Sequence, residues 1–224
     1  MEKLIDGIHR FQSGVFAPHR GLYEGLVAGQ SPSVLFITCS DSRISPSTLT
    51  QSEPGELFIL RNAGNLVPSW GIHNGAEAAA IEYAVDVLEV RDIIICGHTQ
   101  CGAMTALLGP PDDLAELPAV ANWLKHAEAT RRVMRTQYKD VSSKEARLET
   151  CIEENVLAQI ESLRTHPAVF AALTRGAVSL HAWVYSLETG GVAAFDSEAG
   201  QFAPFVDAKR EPAKPLTSAK LRSI

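Results

Sequence analysis

Three residues of this chain have the types and spacing to hold a metal ion. In "DIIICGHTQCGAM" an apolar run ends in glycine, and His98 and Cys101 follow three residues apart. In "SVLFITCSDSR" a second apolar run ends in Cys39, with Asp41 and Arg43 just beyond it. Zinc takes about four ligands in a tetrahedron, drawn from thiolate sulfur, imidazole nitrogen and carboxylate oxygen. Cys39, His98 and Cys101 supply three. The fourth position falls to Asp41 or to water, and water would make the site catalytic. Cys96 rivals them on spacing alone, but its place inside an apolar run favours burial as a small hydrophobe. Cys151 lies on the apolar side of a helical pattern, and burial is expected there too.

The elements that must position these residues alternate between helix and strand. "SVLFITC", "GELFILRN" and "DIIICG" are apolar runs bounded by turn residues, which suits strands buried on both faces. Between the last two, "NGAEAAAIEYAVDVLEV" reads as a helix with one polar stripe, Glu82, Asp86 and Glu89, so it should be covered on more than one side. Leu148, Ile152, Val156, Ile160 and Leu163 step at helical spacing and predict an amphipathic helix over 144–165. Val120, Trp123, Leu124 and Ala127 do likewise. "AVSLHAWVYSLETGGVAAFD" reads as a terminal strand plus hairpin. The fold class is therefore α/β, with a mainly parallel central sheet flanked by helices. Residues 1–30 form an N-terminal helical arm broken near Pro18, 31–206 a single domain, and 207–224 a polar, loosely ordered tail. In a parallel sheet the ends of the first and third strands share one edge, where Cys39, His98 and Cys101 can converge.

Composition narrows the class of function. The 224 residues are 46% apolar and 21% charged, as in a globular protein, with a formal net charge of −6. No block of Lys and Arg stands out, which argues against nucleic acid. No apolar run approaches the roughly 20 residues needed to span a bilayer, and "MEKLIDGIHRFQSG" is not a secretory signal. A cytoplasmic location is expected, and four cysteines in such a setting are thiols or ligands rather than a disulfide framework. No Gly-rich phosphate loop follows any strand, so a nucleotide-binding role is not supported.

"CSDSR" after the first strand, "RNAGN" after the second and "GHTQC" after the third resemble the β-class carbonic anhydrases. The resemblance extends from the N-terminal helix through "LHAWVY". It implies one zinc per chain on Cys39, His98 and Cys101, with Asp41 paired to Arg43 beside the fourth position. Carbon dioxide and bicarbonate would be the substrates. It also implies a homodimer or a higher even oligomer, because the family's pocket is built across a dimer. The family has two pocket types. In the open type a glutamine before the first strand, a phenylalanine in the second and a tyrosine on the following helix line the pocket, and Gln30, Phe58 and Tyr83 match. Gly102 is expected to contact substrate as well. The allosteric type carries tryptophan three residues before its first cysteine, where this chain has Phe36. Arg61 occurs in both types. The expectation is the open type.

Two thiolates cancel the charge of the zinc ion, so a water on it should ionise less readily than with three neutral histidines, for which the pKa is about 7. A second group must help, and an ionised Asp41 can accept a hydrogen bond from the nucleophile and aim it. Arg43 would keep Asp41 ionised and away from the metal through a bidentate pair. No histidine near the motifs is an obvious proton shuttle; His73 is the nearest by sequence. Two other functions compete. One is a carbon disulfide or carbonyl sulfide hydrolase on the same scaffold. The other is a non-catalytic zinc scaffold, against which the Asp41–Arg43 pair argues. Members of the family with this layout serve carboxysomes, cyanate metabolism or general bicarbonate supply, and the resemblance implies one of these settings. A long carboxysome-targeting extension is not expected after "FAPFVDAKREP".

Overall fold

The apolar runs form the middle of one six-stranded sheet of order β2-β1-β3-β4-β5-β6. The computed structural model describes residues 1–71 and 75–205. The expected tail at 207–224 and His73 lie outside the described residues. Strands β1 (Val34–Cys39), β2 (Leu57–Asn62), β3 (Asp92–His98) and β4 (Ser179–Tyr185) run parallel. Strands β5 (Val192–Asp196) and β6 (Gln201–Pro204) return antiparallel at one edge. The terminal strand and hairpin are β4 and β5. The additional β6 is too short to give a period-2 pattern of its own.

β1 and β3 are covered on both faces, which explains why their sequences do not alternate. Leu35, Ile37, Ile93 and Ile95 pack with Val156, Ile160 and Val169 on one face. Phe36, Ile94 and Cys96 pack with Ile44 and Trp183 on the other. β2, at the sheet edge, alternates instead, and its Ile59 is exposed.

The N-terminal arm consists of α1 (Glu2–Phe11), a π-helical turn and α2 (Arg20–Val27), none of whose residues is buried. Leu4, Ile5, Ile8 and Phe11 are all exposed on it. α3 (Pro46–Thr50) follows β1, and α4 (Ala76–Glu82) continues through a π-helical turn at Tyr83–Val87. That helix buries Ala78, Ile81, Ala84 and Val85, yet leaves Tyr83 and Val87 exposed. After β3 come α5 (Gly102–Leu108), α6 (Pro118–Trp123), α7 (Glu128–Thr136), α8 (Lys144–Arg164) and α9 (Pro167–Thr174). Among the described residues no helix is long and apolar enough to cross a membrane.

α8 is the long helix under the sheet. Ser143 Oγ accepts a hydrogen bond from the Ala146 amide at 3.2 Å, an N-cap worth about 1 kcal/mol. The helix buries the predicted face, Ile152, Val156, Ile160 and Leu163, and also the polar Asn155 and Gln159. It can approach β3 because residue 97 is glycine. A Cβ there would lie 2.8 Å from Val156 Cγ2 and 3.1 Å from Ile152 Cγ2. Gly97→Ala should therefore overpack the contact by about 1–3 kcal/mol. At roughly 2–4 °C per kcal/mol for a chain of this size, a thermal melt should show a fall of several degrees. An unchanged melting temperature would mean that α8 is not seated on β3 at this point.

Candidate metal centre

Parallel pairing brings the ends of β1 and β3 to one edge: Thr38 is level with Cys96, so Cys39 lies beside Gly97 and His98. The chain then turns through Thr99 and Gln100, the latter at φ 57°, and Cys101 caps α5. The ligand atoms of Cys39, His98 and Cys101 lie within 4.8 Å of one another, and all three residues are buried.

The imidazole of His98 is oriented for a metal. Its Nδ1 lies 2.8 Å from the Thr99 carbonyl, which can only accept, so Nδ1 carries the proton and Nε2 presents a lone pair. Nε2 is buried with no hydrogen-bond partner. Such an orphan costs about 1–3 kcal/mol, and a cation at that point removes the cost. The sulfurs fit the same cation. A hydrogen bond from Cys101 holds the Cys39 thiol down, to about 4, helped by the Gly64 amide. Cys101 is pushed up in return by that hydrogen bond and by burial. A metal bound there would displace the thiol protons, leaving two thiolates. Two thiolates and one imidazole are a zinc donor set.

Asp41 stands at the mouth of this cluster, its Oδ2 3.9 Å from His98 Nε2. Arg43 donates to it twice, Nε to Oδ1 at 2.9 Å and Nη2 to Oδ2 at 2.7 Å. The Arg43 amide adds a third bond to Oδ1 at 2.9 Å. Hydrogen bonding from Arg43 holds the Asp41 carboxyl well below the usual carboxylate range. Arg43 Nη2 also donates to the Gln100 carbonyl at 3.0 Å, tying the pair to the turn between His98 and Cys101.

A family model described as carbonic anhydrase matches residues 34–192. The chain belongs to the carbonic anhydrase family. It is 48% identical over 196 residues to the carbonic anhydrase of Synechocystis sp., across 88% of this chain and 71% of that one. It is 47% identical over 207 residues to the carbonic anhydrase of Pseudomonas aeruginosa, across 92% and 93% of the two chains. The solved structure of the β-carbonic anhydrase CcaA superposes with a TM-score of 0.88 at 48% identity, covering 91% of this chain and 98% of that one. The class is β, and the enzyme type is carbonate dehydratase, as the motifs implied.

Set against the carbonic anhydrase motifs, the remaining candidates divide. Gly102 opens α5 beside Cys101, with open space where a side chain would stand. Gln30, Phe58 and Tyr83 do not reach the cluster of their own chain. Phe58 is level with Leu35, four residues before Cys39 and so about 13 Å along the sheet. Tyr83 packs on Phe58 with ring centroids 6.0 Å apart, and Gln30 is exposed in the segment between α2 and β1. Cys96 is no ligand: its thiol donates to the Gly97 carbonyl at 3.4 Å, and burial pushes its pKa up to about 12. Cys151 sits in an apolar cluster beside Met104, and burial pushes it to about 12 as well.

Two supporting residues carried little or no sequence signal for the part they play. Arg61 donates to three carbonyls of the loop that bears Asp41: Cys39 at 3.0 Å, Asp41 at 2.7 Å and Ile44 at 3.0 Å. Glu188, in the turn between β4 and β5, accepts from Thr99 Oγ1 at 2.6 Å and from Gln100 Nε2 at 3.4 Å. It braces the segment between two of the candidate ligands from 88 residues beyond Gln100.

Proposed function

We propose that Cys39, His98 and Cys101 hold one zinc ion per chain and that the enzyme reversibly hydrates carbon dioxide to bicarbonate and a proton. The convergence of three buried ligand atoms around the unpartnered His98 Nε2, with Asp41 beside it, carries this reading. Zinc bound there would supply Lewis acidity that brings the pKa of water far below its ordinary value. Asp41, kept ionised and fixed by Arg43, accepts a hydrogen bond from the attacking water and turns its remaining lone pair toward carbon dioxide. Arg61 holds the backbone that carries Asp41. Gly102 leaves room for the substrate. Phe36 stands where the allosteric type carries tryptophan, which supports the open pocket type. Comparing turnover of carbon dioxide with that of carbonyl sulfide and carbon disulfide tests the substrate. Faster turnover of either sulfur compound would replace this reading by the hydrolase.

The functional unit in this reading is a dimer or a higher even assembly of a zinc domain, 31–206, and an arm, 1–30. An apolar face as extensive as that of the arm is a liability on a monomer. The Phe58–Tyr83 pair, too far from its own cluster, would line the pocket of a second copy. Sedimentation at micromolar concentration should show an even oligomer, and Phe58→Ser should weaken both assembly and activity. A fully active monomer would contradict the shared pocket.

A further inference from the structure

The Ala63–Gly64 peptide connects a tryptophan to a candidate metal ligand. Its amide end, Gly64 N–H, donates to Cys39 Sγ at 3.3 Å in a buried bond. Its carbonyl end, Ala63 C=O, accepts from the indole Nε1–H of Trp123 at 2.8 Å. Both groups belong to one amide, so a donor at the oxygen draws charge through the C–N bond and makes the N–H a stronger donor to sulfur.

The surroundings hold this peptide in place. Gly64 has φ +82°, and a Cβ on it would lie 2.9 Å from Ala103 Cβ, so glycine is what allows its backbone to stand there. Asn155 Nδ2, from the buried side of α8, donates to the Gly64 carbonyl at 3.1 Å. The Oδ1 of Asn155 accepts from Thr130 at 3.3 Å and from Gln159 at 3.1 Å. Gln159 in turn accepts from the Val67 amide at 2.8 Å. Three buried polar side chains thus fix the loop on its far side, while Trp123 polarises it at the peptide that meets the sulfur.

We propose that Trp123 is a positioning residue that tunes the Cys39 thiolate through the Ala63–Gly64 peptide. The inference rests on the zinc reading above. Groups behind a metal ligand set its basicity and orientation. Two full thiolates would leave zinc a weak Lewis acid. An N–H donor on one sulfur draws electron density away from the metal and restores part of its acidity.

Trp123→Phe tests this, because it removes the N–H and keeps most of the ring. The protein is loaded with cobalt(II) in place of zinc, and the sulfur-to-cobalt charge-transfer band is recorded. With a weaker hydrogen bond the sulfur lone pairs rise in energy, so the band should move to longer wavelength at unchanged metal stoichiometry. Turnover of the zinc form should fall by no more than about 10-fold, the low end for a group behind a ligand. An unshifted band in a folded, metal-loaded variant overturns the inference. A second measurement needs no variant: with cadmium-113 bound to the wild-type protein, the Gly64 amide proton should show coupling to the metal across the sulfur. Its absence overturns the inference even if Trp123→Phe fails to fold. Wild-type protein that binds neither metal overturns the zinc reading itself.

Discussion

Cys101→Ala should lose zinc and carbon dioxide hydration together, whereas Cys151→Ala should keep both. The two cysteines are alike in burial and lie in one apolar cluster. They differ in what faces the sulfur. Cys101 meets Cys39 and His98, while Cys151 meets the thioether of Met104 at 4.0 Å. Without Cys101 only two ligand-type side chains remain in the cluster, and zinc sites keep three or four. Water without the metal returns toward its ordinary pKa of about 15.7, so the loss should exceed roughly a thousandfold. Metal analysis of the purified variants, run beside the activity assay, checks both halves. Zinc retained at one per chain in Cys101→Ala would remove that residue from the ligand set.

Arg43→Ala should reduce turnover by about 10–100-fold, the range for losing a partner that orients a metal site. Two of the three hydrogen bonds on the Asp41 carboxylate come from this guanidinium, and only the backbone amide would remain. The cause of the loss can be separated by pH. With Arg43 present, the Asp41 carboxyl titrates well below the usual range. Without it, the pKa rises toward about 3.9, so Asp41 is still ionised at neutral pH. The defect is then one of placement, with the carboxylate free to close on the metal, and raising the pH from 7 to about 8 leaves Asp41 charge unchanged. Arg43→Lys restores the charge but not the two-pronged geometry, and should recover only part of the rate. Wild-type activity should rise smoothly with pH, without the cooperative loss at low pH of the allosteric type. Near wild-type turnover in Arg43→Ala would show that Asp41 needs no latch.

Much of this centre was legible in the sequence because strand ends are legible. Cys39 and His98 close uninterrupted apolar runs, and such runs become parallel strands whose ends share an edge. Cys101 follows at the start of a helix, so three ligand types fall at one place once the sheet is parallel. Burial of Cys96 and Cys151 could be read from their apolar neighbours. What could not be read lies in contacts between distant segments. Arg61 looks like any strand arginine until the register sets it beside Thr38, within reach of the loop carbonyls. Nothing in the local pattern at Glu188 points to Thr99, because a turn has no periodicity. Trp123 fits the spacing of an amphipathic helix, and its Nε1–H bond to Ala63 spans 60 residues. Gln30, Phe58 and Tyr83 could be matched to motif positions of a pocket built across a dimer, and the strand register, with Phe58 level with Leu35, likewise keeps Phe58 from its own Cys39.

The most direct test of zinc-dependent hydration at this centre is a stopped-flow carbon dioxide assay on one preparation, as purified, after chelation and after return of one equivalent of zinc. Turnover should be fast in the first state, fall to the uncatalysed rate in the second, and recover in the third. Full turnover in the metal-free state, or none in the zinc-loaded state, would contradict the account.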